Sequence, residues 1–208
     1  MGTFTERGRV LTRAVLTPPA RGLLALHVSP DAVTVAGTVA VAAITLWFIP
    51  QGEFLWALLL GGVFVFTDSL DGTMARLSGR SSAWGAFLDS TLDRVSDAAV
   101  LCAIALYYGA RHSDGGQAML GATLAALVGS VMVSYTRARA EGVGADASVG
   151  LAERSERLLV IGLGLLLAGF VDVRALGVAV VLVAVLAWVT VVQRILAVRR
   201  QTAPAGRS

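Results

Sequence analysis

Residues 68–76 read DSLDGTMAR and, eight residues further on, residues 85–93 read GAFLDSTLD, so that four aspartates fall within 26 residues of largely apolar sequence. The four are Asp68, Asp71, Asp89 and Asp93. A carboxylate close to membrane hydrocarbon is costly unless it is paired, hydrated or bound to a metal. The i,i+3 and i,i+4 spacings put each pair of aspartates on one face of a helix. We therefore expect two helices to present four carboxylates to a single site.

The rest of the chain predicts an integral membrane protein. It has 208 residues, 56% of them hydrophobic and 15% charged, with a mean hydropathy of +0.74. A helix needs about 20 apolar residues to cross a hydrocarbon layer of about 30 Å. Six segments are of this kind, at about 31–50, 54–76, 84–110, 116–138, 155–171 and 174–196. These features predict an all-α fold with six transmembrane helices in one membrane domain, 1–208.

The arginines predict the orientation of that domain. All 17 basic residues are arginine, and 15 of them fall on one side of the predicted topology, leaving Arg111 and Arg174 on the other. By the positive-inside rule, both termini and the aspartates face the cytoplasm, as expected for a multi-pass protein of the plasma membrane. Because the arginines flank apolar spans, the positive charge does not indicate nucleic-acid binding.

The predicted domain has three parts. Residues 1–28 combine arginines with leucine and valine and contain Pro18-Pro19, a pattern that predicts an interfacial amphipathic helix interrupted by the two prolines. Residues 29–197 form the six-helix bundle, and 198–208 form a cytoplasmic tail.

The composition of the acidic site predicts the metal. Carboxylate oxygens favour Mg²⁺, with Mn²⁺ as the other possibility, whereas zinc usually recruits histidine or cysteine. Gly72 and Ala75 leave room for a ligand beside the helix, and Arg76 is placed to hold a phosphate. The alternative is that the two small residues serve helix packing and that Arg76 is a topology charge.

The complete string, D-x2-D-G-x2-A-R-x8-G-x3-D-x3-D, resembles the signature of the CDP-alcohol phosphotransferase family. The resemblance implies a six-helix membrane enzyme, commonly a homodimer, in which the hydroxyl of an acceptor attacks the pyrophosphate of a CDP-linked lipid and CMP leaves. It implies that Asp68 and Asp89 bridge two Mg²⁺ ions, that Asp71 and Asp93 each complete one metal shell, and that Asp93 is also the general base.

The same resemblance implies a binding site for CDP-diacylglycerol. Asp31, Ala32, Val33 and Thr34 would flank the cytidine, and Ser82 would reach a CDP phosphate. The residues implied for binding the CDP-linked lipid are then Asp31, Ala32, Val33, Thr34, Gly72, Ala75, Arg76 and Ser82. Both the segment at 29–34 and Ser82 also suit ordinary helix starts.

Two arginine-rich segments predict the acceptor. Residues 134–141 read SYTRARAE and 153–157 read ERSER. They resemble S-Y-x-K-A-R-A-E and E-R-P-E-R of bacterial phosphatidylinositol phosphate synthases, with Arg137 in place of lysine and Ser155 in place of proline. Arg137, Arg154 and Arg157 are therefore expected to bind the phosphate of an inositol phosphate acceptor. Asp97 is expected beside the metal ligands, paired with Arg94.

Two alternatives remain at this point. A phosphatidylglycerophosphate synthase, which uses glycerol 3-phosphate, would need the same kind of phosphate pocket. A divalent-cation transporter would also place aspartates in a helical bundle, although near the middle of the bilayer. Small-residue stretches at Gly61-Gly62, 121–125 and 164–168 are predicted to serve helix packing.

Overall fold

The computed structural model describes residues 16–79, 82–111, 114–151 and 153–203, and for residues 65–69 and 114 it describes the backbone. This part of the chain is built from helices joined by turns and loops, which confirms the predicted all-α class. Residues 16–25 form α1. The helices that follow are α2 (Pro30–Gln51), α3 (Phe54–Leu77), α4 (Ala83–Gly109), α5 (Asp114–Glu141), α6 (Arg154–Phe170) and α7 (Arg174–Thr202).

Each of the six predicted apolar segments coincides with one of the helices α2 to α7. The largest difference is at the end of α7, which continues to Thr202 rather than ending near 196. Arg199 and Arg200 occupy its last turn, where a positive charge interacts favourably with the carbonyl end of the helix. The run of apolar residues ends before α7 itself ends, because a helix can continue beyond the hydrocarbon layer.

Three of the described helices are long and apolar enough to cross a membrane: Pro30–Gln51, Gly115–Glu141 and Arg174–Thr202. In α3 the apolar part is Phe54–Phe64. The first half of α4 carries the aspartates, and α6 has 17 residues, which gives about 26 Å of helix.

Contacts divide the chain into two compact units. The first contains the described residues up to Thr45 together with Leu59–Ser96, and the second contains Leu46–Leu58 and Asp97 onward. The divisions fall within α2, α3 and α4. The first unit thus holds all four aspartates of the motif, and the second holds the arginine-rich segments.

The core of the first unit joins α1, α2 and α3. Ala20 and Met74 are fully buried and Val33 nearly so, with Leu23, Leu24, Val28 and Leu70 packed around them. Residues 1–15 of the predicted interfacial segment lie outside the described residues. Pro18 and Pro19, predicted to interrupt it, lie in the first described turn of α1, and a first helical turn tolerates proline because no N–H is needed there.

The core of the second unit is centred on α7, which packs against both α5 and α6. Leu176, Val180 and Val183 of α7 are almost completely buried in it. Gly164 allows α6 to approach α7 closely, because a Cβ there would lie 2.5 Å from the Cβ of Ala179. This confirms one of the predicted small-residue packing surfaces. Around Gly61, Gly62 and Gly121, by contrast, a Cβ would meet no described atom within 4 Å.

The loop between α5 and α6 is tied to α7 at Gly150. Its φ of +151° is a conformation that other residues rarely adopt, and a Cβ would lie 2.4 Å from Cγ2 of the buried Thr190. Gln201 also bonds this loop, accepting from the Asp146 amide at 2.9 Å and donating to the Asp146 carbonyl at 2.6 Å. The segment between the two arginine-rich stretches is therefore held in one place.

Candidate active site

The aspartates of the motif lie on the parts of α3 and α4 that belong to the first unit. Asp71 is buried, with 6% of its surface exposed, whereas Asp89 and Asp93 are partly buried. Asp89 and Asp93 are one turn apart on α4, as predicted. The backbone places positions 68 and 71 one turn apart on α3, and the Asp68 side chain lies outside the described part of the structure. Two helices therefore carry the motif in one compact unit.

Asp71 is held in place by a residue of α2. The Thr34 hydroxyl donates to Asp71 Oδ2 at 2.5 Å and lies 3.2 Å from the Pro30 carbonyl oxygen. A hydroxyl donor is neutral, so it orients the carboxylate without cancelling its charge. The sequence predicted Thr34 as a residue beside the cytidine and did not predict this contact.

The donor set fits a hard divalent cation. Asp71, Asp89 and Asp93 offer oxygen only, and carboxylates have lone pairs for a metal in addition to those used in hydrogen bonds. Among the described side chains, which include Asp71, Asp89 and Asp93, no three His, Cys, Asp or Glu residues form a group that could hold a metal ion. With Asp68 beyond that description, the four-carboxylate site stays a prediction supported by the chemistry of its donors.

A groove along α2 begins next to the motif in the same unit. It has a volume of about 740 Å³ and is lined by Asp31, Ala32, Val35, Ala36, Val39, Ala40 and Ala43 of α2 and by Trp84 and Leu88 of α4. The Trp84 indole donates to Asp31 Oδ2 at 3.1 Å. One polar contact thus lies at the end of a long apolar channel, an arrangement that suits a lipid with a polar headgroup.

The structure separates the four residues predicted to flank the cytidine. Asp31 and Ala32 line the groove. Val33 is buried in the core of the first unit, and Thr34 contacts Asp71. The segment is also a helix start, because Ser29 Oγ accepts from the Ala32 amide at 3.2 Å immediately before α2.

The small residues after Asp71 leave the helix surface accessible. Among the described atoms, a Cβ on Gly72 would meet the Arg76 side chain alone, at 3.8 Å from Nη1. Arg76 is exposed and donates to Thr73 Oγ1 at 3.1 Å, and Ala75 is partly buried. Ser82 Oγ accepts from the Gly85 amide at 3.0 Å, so it caps the start of α4.

In the second unit, two of the predicted phosphate-binding arginines are brought together by Asp97. Arg154 Nε lies 3.2 Å from Asp97 Oδ1, and Arg157 Nη2 lies 3.7 Å from Oδ2. The Asp97–Arg94 pair predicted from the sequence is wrong: Arg94 donates to the Ser90 carbonyl oxygen on its own helix. The partners of Asp97 come instead from α6, 57 and 60 residues further along the chain.

Arg137, the third predicted arginine, is exposed at the end of α5 and pairs with Glu141 at 3.3 Å. A fourth arginine was missed as a site residue. Arg194 of α7 is 3% exposed, and its Nε and Nη1 donate to the carbonyl oxygens of Val149 and Val133 at 2.9 and 2.5 Å. The charges of Arg137 and Arg157 act on it unfavourably and that of Glu153 favourably.

Arg194 could have been recognised from its surroundings. It interrupts an apolar run, VVQRIL at 191–196, before the charged end of the helix at Arg199 and Arg200. A lone arginine inside such a run indicates a functional or structural partner. When Arg194 is counted only as one of the positive charges that set the topology, its isolated position in the apolar run is overlooked.

The loop beside these arginines has its own anchor. The carboxylate of Asp146 accepts from the Ser148 amide at 2.8 Å and from the Ser148 hydroxyl at 3.0 Å. These hydrogen bonds hold the pKa of Asp146 below its usual value. The ionised carboxylate therefore stabilises the turn between the two arginine-rich segments.

Comparison with known proteins places these features in context. Residues 27–198 match the family described as CDP-alcohol phosphatidyltransferase. A phosphatidylinositol phosphate synthase of Streptomyces avermitilis is 43% identical over 97% of this chain and 85% of its own length.

Two crystal structures of the Mycobacterium tuberculosis phosphatidylinositol phosphate synthase are also similar. The one with CDP-DAG bound has a TM-score of 0.85 and 38% identity, covering 94% of this chain and 98% of that one. The complex with manganese and citrate has a TM-score of 0.83 and 39% identity, covering 93% of each chain. The range matched by the family, 27–198, includes both the aspartate motif and the arginine-rich segments.

Proposed function

This chain belongs to the CDP-alcohol phosphatidyltransferase family, and from that premise we propose that it transfers the phosphatidyl group of CDP-diacylglycerol to inositol phosphate, giving phosphatidylinositol phosphate and CMP. It is a CDP-alcohol phosphotransferase of membrane phospholipid biosynthesis. The observation that carries the proposal is the grouping of arginines in the second unit.

That grouping suits an acceptor that already carries a phosphate. Arg154 and Arg157 share the carboxylate of Asp97, and the buried Arg194 lies in the same unit. The charges of Arg137 and Arg157 act unfavourably on Arg194 and that of Glu153 favourably, so a bound phosphate would add to a partial compensation. Guanidinium groups bind phosphate oxygens in pairs. We assign Arg137, Arg154, Arg157 and Arg194 to the phosphate of the acceptor.

The groove on α2 suits the lipid substrate. The apolar wall formed by Ala36, Val39 and Ala43 would cover acyl chain, and Asp31 and Ala32 would lie beside the cytidine end. Gly72, Ala75 and Arg76 lie on the helix that bears the aspartates, where a small-residue surface lets the pyrophosphate approach. Val33 and Thr34 would support lipid binding indirectly. Val33 packs in the core of the first unit, and Thr34 orients Asp71.

Asp68, Asp71, Asp89 and Asp93 would hold the divalent cations, two Mg²⁺ ions or Mn²⁺ in their place. When bound, such ions neutralise the pyrophosphate and stabilise the departing CMP. Asp93 accepts the proton of the acceptor hydroxyl as its oxygen forms a bond to the phosphatidyl phosphorus. The bond from that phosphorus to the CMP oxygen breaks, and Thr34 keeps the Asp71 carboxylate in a single orientation throughout.

The arrangement in the membrane is part of the proposal. We assign α2 to α7 as six transmembrane helices with both termini and the aspartates on the cytoplasmic side of the plasma membrane, and the protein as a homodimer. After Cys102 is replaced by alanine, labelling of single cysteines placed in the α2–α3 and α4–α5 turns, by a reagent that does not cross the membrane, tests the orientation. The proposed orientation predicts that both turns are labelled when the reagent is added outside the cell. Labelling only after the membrane has been opened would contradict it.

An acceptor competition assay tests the function. Purified protein receives CDP-diacylglycerol and Mg²⁺ with inositol phosphate, inositol or glycerol 3-phosphate, and CMP release is measured. We expect release with inositol phosphate and little with inositol, which lacks the phosphate that the arginines bind. Release with glycerol 3-phosphate alone would instead identify a phosphatidylglycerophosphate synthase.

A further inference from the structure

Asp97 is a carboxylate that the proposed reaction does not use. It follows Asp93 by one helical turn, yet its two oxygens contact Arg154 and Arg157 of α6. Its side chain is 16% exposed and that of Arg157 is 7% exposed. Screening by solvent is weak around the Asp97–Arg157 pair, so this pair holds its geometry more firmly than a surface pair does, whereas the Arg154 side chain is 31% exposed.

A small cavity lies against this cluster. It has a volume of about 20 Å³ and is lined by Asp97, Ser130 and Arg157 together with apolar side chains of α4, α6 and α7. Ser130 is 6% exposed, and within the described part of the chain its Oγ has no hydrogen-bond partner. A buried hydroxyl without a partner is destabilising. A cavity of this volume accommodates one water molecule, which Ser130 and the ion pair would both bind.

We propose that Asp97 is the positioning residue of the acceptor site: it fixes Arg154 and Arg157 in the orientation that receives the acceptor phosphate, and one water links Ser130 to the Asp97–Arg157 pair. The inference rests on the proposed function. Two guanidinium groups one helical turn apart repel each other and have many rotamers. A carboxylate that bonds both removes that freedom before the acceptor arrives, which lowers the cost of binding.

The charge of the cluster agrees with this role. One carboxylate shared by two arginines leaves a net positive charge for the phosphate. Because Asp97 is already compensated by guanidinium groups, it is a poor metal ligand, unlike the aspartate one turn before it. It acts through the arginines and contacts no reacting atom.

The test is Asp97→Asn, which keeps the size of the side chain and removes its charge. We expect the KM for inositol phosphate to rise about tenfold, because the ionic acceptor for both arginines is lost. The kcat and the KM for CDP-diacylglycerol should stay within about twofold of the wild type. Asp97→Glu, which restores the charge, should recover part of the loss. Glu156→Gln, on the exposed face of α6 between the two arginines, is the control with the same charge change.

Ser130→Ala is a second variant, which tests the same inference if Asp97→Asn does not fold. We expect a two- to threefold rise in the same KM, roughly the effect of losing one water-mediated contact. If the wild type uses inositol phosphate but both variants keep the wild-type KM for it, the inference fails and the proposed function stands. An equal rise in the KM for inositol phosphate and for CDP-diacylglycerol would also overturn the inference, because it would indicate a general structural role for Asp97. A wild type inactive with inositol phosphate would refute the proposed function itself.

Discussion

Asp71 in the first unit and Asp97 in the second are both carboxylates inside a helical bundle, but they have different hydrogen-bond donors. Asp71 accepts from the hydroxyl of Thr34, whereas Asp97 accepts from Arg154 and forms an ion pair with Arg157. A hydroxyl leaves the negative charge in place, whereas two guanidinium groups more than cancel it. The first arrangement is suited to a cation and the second to an anion.

The comparison shows that the donor, more than the burial, decides what a carboxylate in this protein does. Asp93 and Asp97 are neighbours on one face of α4 and would look alike in the sequence. The first belongs to the acidic motif, and the second organises arginines. Substitutions that change one region and spare the other test this division.

The largest effect is expected from Asp93→Asn in the acidic region. An amide cannot accept the proton of the acceptor hydroxyl, so turnover should fall by about a thousandfold or more, while CDP-diacylglycerol binding is largely retained. CMP release and lipid binding are measured on the same preparation. Asp172→Asn, in the exposed turn between α6 and α7, is the control with the same charge change. If Asp93→Asn retains near-normal turnover, Asp93 is not the general base.

A smaller effect is expected from Arg157→Gln in the arginine region. The KM for inositol phosphate should rise about a hundredfold, because a charge-assisted contact to phosphate is lost, with a much smaller change in the KM for CDP-diacylglycerol. Arg157→Lys should restore little, since an ammonium group cannot form the paired contacts of a guanidinium. Arg111→Gln, on the opposite side of the predicted topology, is the control. If the KM for inositol phosphate is unchanged in Arg157→Gln, Arg157 does not bind the acceptor phosphate.

The smallest effect is expected from Thr34→Val, which removes the hydroxyl that orients Asp71 and keeps the shape of the side chain. Loss of such a supporting hydrogen bond should weaken Mn²⁺ binding about tenfold. Calorimetric titration with Mn²⁺ measures this without reference to activity. Thr34→Ser should retain the affinity, and Thr38→Val, one turn further along α2, should leave it unchanged. Equal affinities for the wild type and Thr34→Val would show that the contact does not support a metal ligand.

The sequence was sufficient to predict where the helices lie, because runs of apolar residues broken by glycine and charged turns are local signals. It also predicted the helix starts at Ser29-Pro30 and Ser82, which the caps in the structure confirm. The end of α7 was harder to predict, since hydropathy reports the hydrocarbon layer and does not report how far the helix continues.

Contacts between distant segments could not be predicted in the same way. Nothing local indicates that Asp97 pairs with arginines almost sixty residues further on, or that the Thr34 hydroxyl reaches a carboxylate of α3. Arg194 gave a signal, an isolated arginine in an apolar run, that the count of charges per side obscured. The six spans, the orientation and the homodimer stay predictions, because they depend on a bilayer and a second chain.

The central claim is that four aspartates of the first unit bind divalent cations. Anomalous diffraction from crystals grown with manganese and CDP-diacylglycerol tests it most directly. The account predicts two anomalous peaks within coordination distance of Asp68, Asp71, Asp89 and Asp93, and no peak at Asp97. A map without peaks among the first four carboxylates, or with manganese bound at Asp97, would contradict it.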